Sequence, residues 1–349
     1  MARRVMLSML AGCMAVCLPV GQASAQNKIR FGWCSNTYSV AIAQFAVAQK
    51  KGWFKDNNVD FSLFTFGGSI DCARNIATGE LDVALISPEP LGILALQGVK
   101  EKVFYSNYRR SIFGLAVTED SPFKTYADMK GQTIGVTSMS SVGVTLARAV
   151  ATTAGLNPQT DIRIVVTGEP AQTAVLIRRG DVKILSQFDT YYTQIERTGV
   201  KLRRIQDPEL KRFPSNAFVA LDSTIEKRRA DLVNFARAVA MGTAYCIEHP
   251  REAIEMTYEV YPSLKPSSGD VEQAIASDMA ILKDRIESWR LDKPGVEQWG
   301  SVDVGAFQAY FDWLQKFDLL KAKVDAAQLT TNELIAEINR FDKRLITER

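Results

Sequence analysis

From Lys28 to Trp33 apolar and polar residues alternate, with Ile29 and Phe31 on one side, and this predicts a short strand. From Val40 to Lys51 the apolar spacing becomes helical and Gly52 ends it. Trp53-Phe54-Lys55-Asp56-Asn57-Asn58 reads as a turn and Val59–Thr65 as the next strand. Gly67-Gly68-Ser69 opens a helix through Ala77, Leu81–Ile86 is a strand, and Leu91–Gln97 is a short helix ended by Gly98. Lys102–Tyr105 and Phe113–Val117 read as strands before Asp120-Ser121-Pro122 breaks the pattern. Tyr126–Lys130 is one helical turn and Thr133–Val136 a strand; Ser138-Met139-Ser140-Ser141 then caps a helix through Thr153, stopped by Gly155. Asn216–Leu221 is a further strand that returns the chain to its first half. Helices follow over Ala230–Glu248, Arg251–Tyr258, Asp270–Trp289, Ala306–Phe317 and Asn332–Phe341.

One module occurs twice. Val59–Pro88 and Ile162–Asp189 both run strand, Gly-containing turn, short helix, Gly-acid-apolar, strand, polar turn. A strand–helix–strand unit of that length demands a crossover and parallel pairing. Two such units about a hundred residues apart predict two similar α/β lobes. Open α/β sheets bind ligands outside the carboxyl ends of their strands, so two facing lobes would form a cleft there.

The first 25 residues stand outside that pattern. Arg3 and Arg4 precede an apolar run from Val5 to Val20, and Ala23-Ser24-Ala25 is a small-x-small cleavage signature before Gln26. This is the layout of a Sec-type signal peptide, and it predicts a periplasmic protein. Leu10-Ala11-Gly12-Cys13 offers a rival reading as a lipobox with a lipidated Cys13, but the apolar run continues past it to a better cleavage site. Loss of Arg3 and Arg4 with this acid-free leader takes the formal charge from +3 to +1. That balance gives no electrostatic case for nucleic acid or an anionic membrane surface. Three cysteines remain beyond the leader: Cys34, Cys72 and Cys246. At most one disulfide can form among them. Cys34 and Cys72 each follow a predicted strand and are the pair to watch; the alternative is that all three are small packing residues.

With the elements placed, the residues resemble a known family. Ala48-Gln49-Lys50-Lys51-Gly52-Trp53-Phe54, Gly67-Gly68-Ser69 and Ala77-Thr78-Gly79-Glu80-Leu81-Asp82-Val83 are similar to the nitrate/sulfonate/taurine and thiamine-precursor class of periplasmic solute-binding proteins. Asp128-Met129-Lys130-Gly131-Gln132-Thr133-Ile134-Gly135-Val136 resembles that family's entry to lobe two, and Glu248–Ala253 and Thr330–Ile335 its C-terminal helices. The resemblance spans the chain beyond the leader. It implies a type II binding-protein fold: two doubly wound α/β lobes joined by two crossover strands, near Phe113–Val117 and Asn216–Leu221, with C-terminal helices on lobe one. The expected division is a signal peptide at 1–25, lobe one at 26–117, lobe two at 118–217 and the second, helical part of lobe one at 218–349. Two positions depart from the family pattern. Lys183 stands where the family has Asp, and its Trp-Glu-Pro-Tyr turn is replaced by Phe188-Asp189-Thr190-Tyr191.

The chemistry-bearing candidates gather at the strand ends. Gly67, Gly68 and Ser69, and Ser138, Ser140 and Ser141, sit at helix starts, where free N–H groups favour an anionic or acceptor-rich ligand group. Trp33, Tyr38, Phe188 and Tyr191, with Tyr192, are aromatics that can sandwich a flat or aliphatic ligand. Glu89, Glu169 and Asp189 are acids in the same kind of turn, placed to accept hydrogen bonds from ligand N–H groups. Asn36 and Ser87 complete the expected ligand-binding set. Arg109 and Arg110 precede an expected crossover strand and read as a solvated pair, the alternative being that one meets a ligand carboxylate or sulfonate. Catalytic templates are missing, and the single His, His249, precedes Pro250 at a helix junction. No metal site or cofactor is expected. The expected function is the solute-binding component of an ABC uptake transporter for a sulfonate, nitrate/taurine-like or pyrimidine-like molecule, a monomer whose partner is a membrane permease. The alternatives are an enzyme like the pyrimidine-synthase branch of the same superfamily, which uses a histidine and clustered cysteines that this chain lacks, or a ligand-sensing receptor subunit.

Overall fold

The structure, a computed structural model, describes residues 27–205, 207–266, 270–291 and 297–347. The expected signal peptide lies outside them. Among the described residues ten strands form: β1 Asn27–Trp33, β2 Val59–Thr65, β3 Val83–Ile86, β4 Glu101–Ser106, β5 Phe113–Thr118, β6 Thr133–Val136, β7 Arg163–Val166, β8 Ile184–Phe188, β9 Leu202–Arg204 and β10 Ala217–Leu221. They build two sheets with strand orders β2-β1-β3-β10-β4 and β7-β6-β8-β5-β9. Matching β1, β2 and β3 with β6, β7 and β8 makes the two orders equivalent, so the sequence repeat is a structural repeat.

In each sheet the first three strands are parallel, as helical crossovers require. The fourth runs antiparallel to them. These fourth strands are exchanged along the chain. β10, late in sequence, completes the first sheet, while β5 completes the second. The chain therefore passes between lobes twice, along 107–112 and between Arg204 and Ala217. The expected boundary at 117/118 is thus displaced. β5 pairs with β8 from Phe113 to Val117, so it is a member of the second sheet and the first crossing precedes it.

Burial explains the strand sequences. β3 and β10 lie between neighbours and are covered on both faces, so they read as unbroken apolar runs instead of alternating. Val83, Leu85, Phe218 and Ala220 face one core, and Ala84, Ile86, Ala217 and Val219 the other. The Ala43–Lys50 and Arg229–Glu248 helices cover the first of these, and the Ser69–Ala77 helix packs on β3 from the other side.

Several expected elements shift. Trp53–Asp56 is a helical turn, because Trp53 and Phe54 are buried and draw it onto the core. The helix expected from Leu91 begins at Pro88, which tolerates the first turn where its missing N–H is not needed. Asn332–Phe341 is helical only over Ile335–Ile338. The Asp189–Glu196 helix and β9 were not expected. The C-terminal helices do not all belong to lobe one. Val271–Trp289 also packs along Asp189–Glu196 of the second lobe, held by Arg197–Asp278 (2.5 Å) and Arg204–Asp284 (3.5 Å) ion pairs. Cys34 and Cys72 are joined in a disulfide, and Cys246 is buried without one. No helix among the described residues is long and apolar enough to cross a membrane.

Candidate functional site

The carboxyl ends of both sheets open on one cavity between the lobes. Five of the expected residues line it: Trp33, Gly68, Ser69, Ser141 and Phe188. Trp33 ends β1 and its indole N–H donates to the Thr37 carbonyl (3.0 Å), which fixes the ring. Phe188 ends β8, its ring held edge-on by Tyr191 at 5.2 Å. Ser69 and Ser141 stand at the starts of the Ser69–Ala77 and Val142–Thr153 helices.

The lobes touch along the rim of this cavity. Ser138 Oγ donates to the Gly67 carbonyl (2.5 Å), Ser140 Oγ to Asp71 Oδ2 (2.6 Å) and Thr37 Oγ1 to Glu169 Oε2 (2.9 Å). The approach is close enough to need glycine. A Cβ on Gly68 would stand 2.5 Å from the Ser140 carbonyl carbon and 2.8 Å from Ser141 N. Gly67, Ser138, Ser140 and Glu169 therefore join the lobes and are not part of the cavity wall, and Asn36 lies exposed beside Gly67.

The remaining expected residues fall behind the wall. Tyr38 packs on Tyr261, with ring centroids 5.3 Å apart, because the helix it precedes turns it toward the C-terminal helices. Ser87 is buried, and its N–H donates to Ser69 Oγ (3.3 Å). Glu89 sits in the first turn of the Pro88–Ala95 helix, which directs it inward; Tyr310 Oη donates to it, and burial raises its pKa. Tyr191 Oη donates to the Gly168 carbonyl. Asp189, largely buried, accepts from Arg285 Nη2 (2.6 Å). Burial pushes the Asp189 carboxyl up to about 6, against the pull of the Arg285 charge. Glu89, Tyr38, Ser87, Asp189 and Tyr191 are corrected accordingly: none lines the cavity.

Sequence reading missed the polar heart of the site. Arg285, on the helix that spans both lobes, is 2% exposed and lines the cavity. Its Nη2 serves Asp189 and Thr190 Oγ1 (2.8 Å), its guanidinium lies 4.7 Å from the Tyr108 ring centroid, and Nε and Nη1 have no hydrogen-bond partner among the described residues. Burial works to lower its pKa, but the neighbouring Asp189, Tyr108 and Asp284 outweigh that and raise it. Gln187 Nε2 donates to Thr167 Oγ1 (3.1 Å), leaving Oε1 unpartnered in the same way. Asn216, Tyr108, Ile112 and Phe113 come from the two crossing segments and their edges. One signal was available for Arg285. It falls on the apolar stripe of Ile281, Leu282, Ile286 and Trp289, where a charge demands a partner.

His249 does not line this cavity. Its Nε2 is 2.9 Å from the Ile346 carbonyl and its ring packs against Tyr245 at 4.5 Å. Among the described residues no group of His, Cys, Asp and Glu side chains is arranged to hold a metal ion.

Two α/β lobes with exchanged fourth strands and a cavity between their strand ends define the type II periplasmic binding-protein fold. The chain belongs to the NMT1/THI5-like family, whose sequence profile matches residues 39–253. It is 21% identical over 300 residues to the riboflavin-binding protein RibY of Chloroflexus aurantiacus, covering 85% of this chain and 83% of that one. Among solved structures it resembles the alkanesulfonate-binding protein SsuA of Xanthomonas axonopodis pv. citri bound to MOPS, with a TM-score of 0.65 at 16% identity over 87% of this chain and 98% of that one. It also resembles the periplasmic nitrate-binding protein NrtA of Synechocystis PCC 6803, with a TM-score of 0.63 at 13% identity over 91% and 90% of the two chains.

Proposed function

We propose that this chain is the solute-binding subunit of an ABC importer, exported to the periplasm by the leader ending at Ala25. It works as a monomer, closes its lobes on one small organic molecule and presents the closed form to a membrane permease. It carries out no covalent chemistry. The observation that carries this reading is the cavity itself: strand ends of both lobes line it, and the hydrogen bonds from Ser138, Ser140 and Thr37 join the lobes around it. A molecule that touches both walls stabilises the closed arrangement over the open one, and that differential affinity drives the closure. The cavity wall supports a binding role over a catalytic one, since among the described residues no His, Lys, Asp or Glu side chain lines it beside the Ser69 and Ser141 hydroxyls to act as a base.

A thermal-shift screen of sulfonates, nitrate, pyrimidines, flavins and amines tests the reading, because a molecule that binds only the folded state must raise the melting temperature. A hit should be taken up by cells that carry the gene and not by cells deleted for it. Uptake unaffected by the deletion would overturn the transport role. N-terminal sequencing of the exported protein should begin at Gln26; a start at lipidated Cys13 would overturn the soluble form.

A further inference from the structure

The Cys34–Cys72 bridge stands where the cavity meets the lobe contact. Cys34 follows β1, is half-buried and lines the cavity beside Ser35. Cys72 lies in the Ser69–Ala77 helix and is 0% exposed. The two ends of one bond therefore differ: a reagent inside the cavity meets Cys34 and not Cys72. Cys246 is buried and does not line the cavity. The bridge also ties together two elements that touch lobe two separately. The turn after Cys34 carries Thr37, which donates to Glu169 Oε2 (2.9 Å). The helix carries Asp71, which accepts from Ser140 Oγ (2.6 Å), and the Ile70 N–H, which donates to the Ser140 carbonyl (3.4 Å). Among the described residues no hydrogen bond joins residues 34–37 to that helix, so the bridge is what fixes one to the other.

A thiolate exchanges with a disulfide at the sulfur it can reach. Resting on the two-lobe reading above, we propose that Cys34 is a thiol-exchange site entered through the solute cavity and shielded by lobe closure, which makes the bridge a redox latch on the rim of lobe one. Its reactants are small thiols, compact enough to enter the cavity. The thiolate bonds to Cys34 Sγ as the Cys34–Cys72 bond breaks, and Cys72 leaves with the electron pair and takes a proton from water. A second thiol attacks the outer sulfur of this mixed disulfide, forms its own disulfide with the first and releases Cys34, which is protonated in turn. Two small thiols are oxidised to one disulfide, and the bridge is reduced to two thiols. Once parted, the turn and the helix meet lobe two independently, and closure loses the coupling between the Thr37–Glu169 and Asp71–Ser140 contacts.

Treatment of the chain from Gln26 onward with 2-mercaptoethanol, followed by acid quenching and peptide mass spectrometry, tests the site. The mixed disulfide should form on Cys34 at least tenfold more than on Cys72, with Cys246 unmodified. Equal labelling of Cys34 and Cys72, or reduction only where urea unfolds the chain, would overturn the site and leave the solute-binding reading standing. The shielding is tested on Ser138→Ala/Ser140→Ala, which loosens the lobe contact from lobe two and leaves the bridge's own lobe unaltered. At a urea midpoint matching that of wild type, its bridge should be reduced at least threefold faster. An equal or slower rate would overturn the shielding by closure. Ser140→Ala alone serves the same comparison if the double variant is destabilised. None of these outcomes depends on a solute, so the thermal-shift screen tests the solute-binding reading separately.

Discussion

Glu101 opens β4 with 1% of its surface exposed, and neither carboxylate oxygen has a hydrogen-bond partner among the described residues. Burial pushes its pKa up from 4.5 to about 8. The folded chain therefore holds this proton more tightly than the unfolded chain does. Its contribution to stability is intact below pH 4.5, falls away as pH rises, and is fully lost near pH 8. At pH 7 the unfolded side chain has been ionised for 2.5 units while the folded one stays mostly protonated, a loss of about 3 kcal/mol at about 1.4 kcal/mol per unit. Glu101→Gln keeps the shape and removes the titration. It should match wild type near pH 4.5 and exceed it by about 3 kcal/mol at pH 7. Urea unfolding followed by tryptophan fluorescence reads this directly, because all five tryptophans lie outside the second lobe's sequence. Any constant cost of the unpaired amide cancels in the pH dependence. A stability difference that stays flat from pH 5 to 8 would refute the assignment of Glu101 as a buried, unpaired acid.

Two further outcomes follow from the site. The Cys34–Cys72 bridge closes a loop of 38 residues, and the chain-entropy relation makes that constraint worth about 4 kcal/mol, so the double Ser variant should unfold at markedly lower urea than the oxidised wild type. Equal midpoints would show that the bridge constrains little. Phe188→Ala removes aromatic surface from the cavity and should weaken solute binding by about 1–3 kcal/mol in calorimetry while leaving far-ultraviolet circular dichroism unchanged. Unaltered affinity would remove β8 from the binding wall.

The repeat at Val59–Pro88 and Ile162–Asp189 was legible because each half is a local unit with its own periodicity and turn chemistry, and both became parallel three-strand cores. The exchange of β5 and β10 was less so. Phe113–Val117 reads as a strand, but which sheet it joins depends on partners some seventy residues away. The same limit governed the site. Trp33, Gly68, Ser69, Ser141 and Phe188 follow from strand ends and helix starts, which are local features. Ser138 and Ser140 were found by the same rule, but the opposite lobe claims their hydroxyls. Glu89 and Asp189 were read as acids facing a ligand; tertiary packing supplies Tyr310 to one and Arg285 to the other, from helices more than ninety residues away. Arg285 itself was hidden in an ordinary amphipathic helix. Its only mark was a charge on the buried stripe.

The central claim is that the two lobes close around a solute, and small-angle scattering with a thermal-shift hit tests it on wild type and Gly68→Ala together. The added methyl would press on the Ser140 carbonyl and stand 2.8 Å from Ser141 N, blocking the rim contact without removing a polar group or straining the backbone, since Gly68 is extended at φ 175°. Wild type should show a smaller radius of gyration when saturated. Gly68→Ala should keep the open value and bind more weakly. Wild type that binds with unchanged scattering, or Gly68→Ala that compacts and binds like wild type, would contradict the account.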